Sequence, residues 1–77
     1  MKPVSKIDQY AIKKVKERRI KLGISQANLS FELNVSVGYI GQVESDKNNT
    51  RYSLERLNEI ARILGCSLHD LLPVKPL

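Results

Sequence analysis

Gln26 and Gln42 carry the side chains of this chain best suited to recognising another molecule. A glutamine amide presents a donor beside an acceptor, which matches N6 and N7 of adenine in the major groove of DNA and also lets it donate to a phosphate oxygen. Around Gln42 stand Val37, Gly38, Tyr39 and Gly41. Val37 offers only apolar contact, best with a thymine methyl. Tyr39 has two readings: its hydroxyl reaches a base or phosphate, or its ring packs over the neighbouring loop. Gly38 and Gly41 each lower helix stability by roughly 1 kcal/mol relative to alanine. Either they let the backbone approach DNA closely or they mark a reader of modest specificity. Gln26 and Ser36, each at the start of a helix, combine a side chain with free backbone N–H groups and so suit a phosphate. Arg19, Ser45, Lys47, Asn48, Asn49 and Arg51 extend this set of backbone-positioning candidates, with ordinary turn chemistry the first reading of Asn48 and Asn49.

These side chains need helices to hold them. Ser25 can cap a helix on which Leu29 and Leu33 share a face, and Asn34 tolerates the left-handed conformation that commonly ends one. Val35 can plug the gap before a second helix capped by Ser36, with Val37, Ile40, Val43 and Glu44 as its inward stripe. Ser30 is small where two steeply crossing helices need room. The Ser36 helix then presents Val37, Gly38, Tyr39, Gly41 and Gln42 outward, so Val37 is claimed by both faces.

A longer helix precedes this pair. It runs from a Ser5 and Asp8 capping box to Leu22, stopped by Gly23, with Ala11, Ile12, Val15 and Leu22 on its apolar face. Arg19 falls in the same arc and requires a partner. Glu44 on the inward stripe of the third helix is the economical one, which makes Glu44 structural and gives Arg19 a mixed role. A fourth helix, Leu54 to Leu64, is capped by Ser53 and ended by Gly65. A fifth, Leu68 to Leu72, is capped by Ser67 with Asp70 at the capping-box position, and cannot continue past Pro73. The reading is all-α, five helices and no strand.

Seventy-seven residues are expected to form one domain, burying only about 60% of the surface of the unfolded chain, with no separate sensor or catalytic unit. At 42% hydrophobic and 27% charged residues the chain is ordinary globular material and not a disordered one. Its net charge of +5 is uneven, because eight basic residues face two acidic ones before Ser25, while five face six in the remainder. That balance is compatible with a polyanion, and equally with solvated basic helices. The lone Cys66 fits a reducing cytoplasm and a small half-buried hydrophobe. No spanning segment and no signal peptide is expected. No pairing of cysteine with histidine, glycine-rich phosphate loop or metal-ligand cluster stands out, so neither catalysis nor a cofactor is expected.

The pattern Arg19, Gly23, Ile24, Ser25, Gln26, Leu29, Leu33, Val35, Ser36, Ile40 and Glu44 resembles the Cro/C1-type, or XRE-type, helix-turn-helix family, which includes the lambdoid phage repressors. The likeness continues through Leu54, Leu57, Ile60, Ala61, Leu64, Gly65, Ser67, Leu68, Leu71 and Leu72, covering residues 12 to 72 and leaving 73 to 77 as a tail. Ser30 stands where the family usually has alanine, and Asn34 and Asp46 where it usually has glycine. The loop from Ser45 to Ser53 is longer than the common form and lacks its proline.

The resemblance implies a five-helix, lambda-repressor-like domain that places the helix from Ser36 in the major groove and acts as a sequence-specific regulator of transcription. It also implies the Arg19 to Glu44 pair and a two-fold dimer on half-sites about one helical turn apart. Leu68, His69, Leu71, Leu72, Val74 and Leu77 form an apolar end suited to such a dimer, unless Leu68, Leu71 and Leu72 close the domain's own core. Phe31 is a further candidate for protein contact. Two other functions remain open: an antitoxin that binds its operator and masks a toxin, and an interaction module that has lost DNA binding, for which the glycines and Asp46 speak.

Overall fold

The serines that open the helices do so through their side chains. In the computed structural model, which describes residues 4–45, 47 and 49–77, α1 (Lys6–Lys21), α2 (Gln26–Glu32) and α4 (Leu54–Leu64) begin at Ser5, Ser25 and Ser53. Each serine Oγ accepts the backbone N–H three residues on, at 3.2, 3.0 and 3.0 Å. Each cap thereby satisfies one of the donors that a helix start leaves without an intrahelical partner.

The same three helices end by a shared device. Gly23, Asn34 and Gly65 have φ of 72°, 60° and 69°, the left-handed turn that reverses the chain. The residue after each then donates its N–H back over the last turn: Ile24 to Arg19, Val35 to Ser30 and Cys66 to Ala61, at 3.0, 3.1 and 3.0 Å. Ile24, Val35 and Cys66 thereby fold against the core. Leu22, expected on the core face of α1, is instead 50% exposed, because it lies at the C-cap and Ile24 is the residue that the reversal turns inward.

Two expected elements differ. The third helix, α3, spans Tyr39–Glu44 with Gly38 as its N-cap and no side-chain cap of its own. Ser36 precedes it in a turn, its carbonyl accepting the Tyr39 N–H at 3.0 Å. Val37 consequently leaves the inward stripe and is 72% exposed, whereas Ile40 and Val43 are buried. The fifth helix is a single 3-10 turn, Leu68–Leu71, in which Ser67 N–H donates to Asp70 Oδ2 at 3.0 Å. The five residues between Ser67 and Pro73 leave little room for α-helical propagation.

Val15, Leu29, Ile40, Ile60 and Leu71 are fully buried, one from each element in chain order, and they define the centre of the core. The α1 helix contacts α3, α4 and the 3-10 turn, while α2 packs mainly on α3. No strand is present among the described residues.

Candidate nucleic-acid interface

Arg19, buried on α1, sends its guanidinium to α3. Nε donates to Glu44 Oε2 at 3.0 Å and Nη2 to Glu44 Oε1 at 2.8 Å, while Nη1 donates to the Ile24 carbonyl at 2.8 Å. Both side chains are almost fully enclosed. The fork matches the carboxylate with two parallel bonds, the geometry that best offsets the cost of removing both charges from water. This orientation corrects the part of Arg19's mixed role that had it meet a phosphate, since its nitrogens face inward.

Glu44 Oε1 also accepts Gln26 Nε2 at 2.9 Å. One carboxylate therefore ties the C-terminal half of α1, the first residue of α2 and the last residue of α3. An amide nitrogen carries two hydrogens, so Gln26 keeps a second donor beside the exposed start of α2.

The turn between α2 and α3 is fixed from within. Ser30 is fully buried, and its Oγ accepts the Ile40 N–H at 3.3 Å. Ile40 is the second residue of α3, so a hydroxyl on the neighbouring helix does the work that the missing Ser36 cap was expected to do. Sequence reasoning recognised the small size of Ser30 but not this bond, which depends on how two helices cross.

On the other side of α3, the Tyr39 ring lies 6.1 Å from the Tyr52 ring, and the Arg56 guanidinium sits 5.5 Å from the Tyr39 ring centre. Tyr39 is half-buried against the core, so its ring follows the packing alternative. Tyr52 is buried and its hydroxyl has no hydrogen-bond partner among the described residues. Burial raises its pKa above the ordinary phenol value, with Glu44 and Tyr39 adding in the same direction and Arg19 opposing. The sequence carried a usable signal for it: Tyr52 directly precedes the Ser53 cap, with Leu57 at the fourth helical position, the pairing of a hydrophobic staple.

Ser36, Val37, Gly38 and Gln42 are exposed along the outer edge of the turn and α3. Val37 and Gly38 stand in the turn and only Tyr39, Gly41 and Gln42 in the helix. Beyond α3, Ser45 is half-buried and its Oγ accepts the N–H of exposed Lys47 at 3.3 Å. Asn49 is exposed. Arg51 is largely exposed and approaches Asp8 at 3.8 Å. Asn48 and Asp46 lie outside the described residues.

At the far end, Leu71 is fully buried and Leu68 and Leu72 are partly buried against the core. His69 is exposed, and Val74 is 98% exposed. Of the residues offered for a dimer, only His69, Val74 and Leu77 are thus left largely outside the domain. Phe31 on α2 is 78% exposed.

A helix-turn-helix family model matches residues 15–71. Among solved structures, hydroxypropylphosphonic acid epoxidase from S. wedmorenis superposes with a TM-score of 0.73 at 24% identity, over 87% of this chain and 35% of that one. A complex of the SinR and SinI proteins gives a TM-score of 0.68 at 25% identity, over 83% of this chain and 61% of that one. SinR, the master regulator for biofilm formation, in complex with DNA gives 0.66 at 24% identity, over 79% of this chain and 95% of that one. The chain spans about a third of the length of the epoxidase, so a helical unit is what the two have in common. No curated protein matches the sequence significantly.

Proposed function

The chain belongs to the Cro/C1-type helix-turn-helix family, and from that premise we propose that it is a sequence-specific regulator of transcription that binds double-stranded DNA. The observation that carries the reading is the division of α3. Its inner side, Ile40, Val43 and the Glu44 carboxylate, is buried and clamped, while Gln42 on the helix and Ser36, Val37 and Gly38 in the turn before it form an exposed outer ridge. A ridge held rigidly and left bare suits the major groove, where Gln42 reads adenine and Val37 contacts a thymine methyl. Gln26 and the start of α2 position the domain on phosphate, with Ser36, Ser45, Lys47, Asn48 and Arg51 as further backbone contacts. SinR in complex with DNA lends the same fold this role.

Few base edges lie within reach of one such ridge, so the working form is a homodimer on a two-fold operator. Val74, His69 and Leu77, next to the partly buried Leu68 and Leu72, are the surface proposed for it. A small repressor or controller is the favoured type. The antitoxin reading differs in requiring a protein partner, and the exposure of Phe31 together with the SinR–SinI complex favours keeping it as the second reading.

Selection of bound duplexes from random DNA, followed by titration at two salt concentrations, tests the proposal. An enriched motif, and an affinity that falls as salt rises, are expected. Absence of both would leave an interaction module without DNA binding.

A further inference from the structure

Gly41 lies beneath the Gln26 side chain. A methyl group on its α-carbon would stand 3.1 Å from Gln26 Oε1 and 3.7 Å from Cδ, while a methyl on Gly38 would meet no heavy atom within 4 Å. The first distance is tighter than van der Waals contact, and the atom that must give way belongs to an amide held on Glu44 Oε1 at 2.9 Å. Glu44 in turn cannot follow, because both its oxygens are held by Arg19. The amide of this otherwise exposed side chain is therefore held on one side by a clamped carboxylate and bounded on the other by Gly41 of α3, with a few tenths of an ångström in which to give.

We propose that Gly41 is the positioning residue for Gln26: the missing side chain at 41 is what seats the amide on Glu44, so that its second N–H is directed to a phosphate. This rests on the DNA-binding reading and gives Gly41 a role that requires neither contact with DNA nor backbone approach to it. Helix propensity and function then oppose each other at this position. An alanine favours α3 by removing the entropic cost of glycine, yet displaces the amide by a few tenths of an ångström.

A double-substitution cycle tests this, using the duplex pool enriched by the unsubstituted chain. Gly41→Ala is expected to keep or raise the thermal midpoint while weakening binding to every enriched duplex by roughly 5- to 10-fold, the scale of one hydrogen bond weakened by misplacement and not abolished. In a Gln26→Ala background the same change is expected to leave affinity unaltered, because the displaced group is gone. The side-chain amide resonances of Gln26 in the DNA-free protein are expected to shift in Gly41→Ala. Unshifted resonances, or an equal loss of affinity in both backgrounds, overturn the inference alone. An unsubstituted chain that retains no duplex overturns the DNA-binding reading and this inference with it.

Discussion

The hydroxyl of Ser30 on α2 accepts the backbone N–H of Ile40 on α3 at 3.3 Å, and so caps a helix to which it does not belong. The bond is fully enclosed, which makes it part of the angle at which α3 is presented. Ser30→Ala leaves the Ile40 N–H buried without its partner and is expected to cost about 1–2 kcal/mol in denaturant unfolding. Ser30→Thr adds a methyl group at a fully buried position between two helices, with an expected cost of about 1–3 kcal/mol. A change below about 0.5 kcal/mol in both variants would show that the α2–α3 angle is set elsewhere.

Arg19 and Glu44 form a buried pair, so removing one partner and removing both have different consequences. Glu44→Ala strands the guanidinium and is expected to destabilise the domain by roughly 3–5 kcal/mol, enough to unfold much of it. Arg19→Met combined with Glu44→Leu removes both charges and is expected to lose far less. Chemical denaturation of Arg19→Met, Glu44→Leu and the double variant checks this, and additive losses would contradict a coupled pair.

Tyr52 is expected to tolerate loss of its hydroxyl. Its oxygen is buried without a partner among the described residues, so Tyr52→Phe is expected to be neutral or to stabilise by up to about 1 kcal/mol. The raised pKa adds a pH signature. The folded state holds the phenol proton more firmly than the unfolded chain, so stability is fully present below the ordinary phenol pKa of about 10 and falls as pH rises beyond it. Thermal midpoints measured from pH 8 to 11 are expected to show this alkaline loss in the unsubstituted chain and a smaller one in Tyr52→Phe.

Gln42 and Gln26 are expected to separate reading from positioning. Gln42→Ala on the outer ridge changes which sequences are enriched, with a loss of about 1–3 kcal/mol at the preferred site. Gln26→Ala weakens all duplexes alike and leaves the preferred motif intact. Selections with each variant decide the matter, and equal loss without altered preference in both would contradict the division.

Much of this protein was legible in its sequence because the signals are local. Serine caps, the left-handed residues Gly23, Asn34 and Gly65, and apolar spacing act within a few residues of one another, and they marked α1, α2 and α4. The pairing of Arg19 with Glu44 was also legible, since a charge on a core stripe demands its opposite.

Tertiary structure decided what depends on the space between elements. Whether α3 begins at Ser36 or Tyr39 is a contest between a local cap and Ser30 on another helix, and no pattern along the chain shows that crossing. The same holds for Tyr39 beside Tyr52 and Arg56, for Gly41 under Gln26, and for Arg19 turned from the surface. Capping and periodicity are energies of neighbouring residues, which a sequence lists in order. Packing and enclosure are energies of residues far apart in the chain, and only the folded arrangement brings those together.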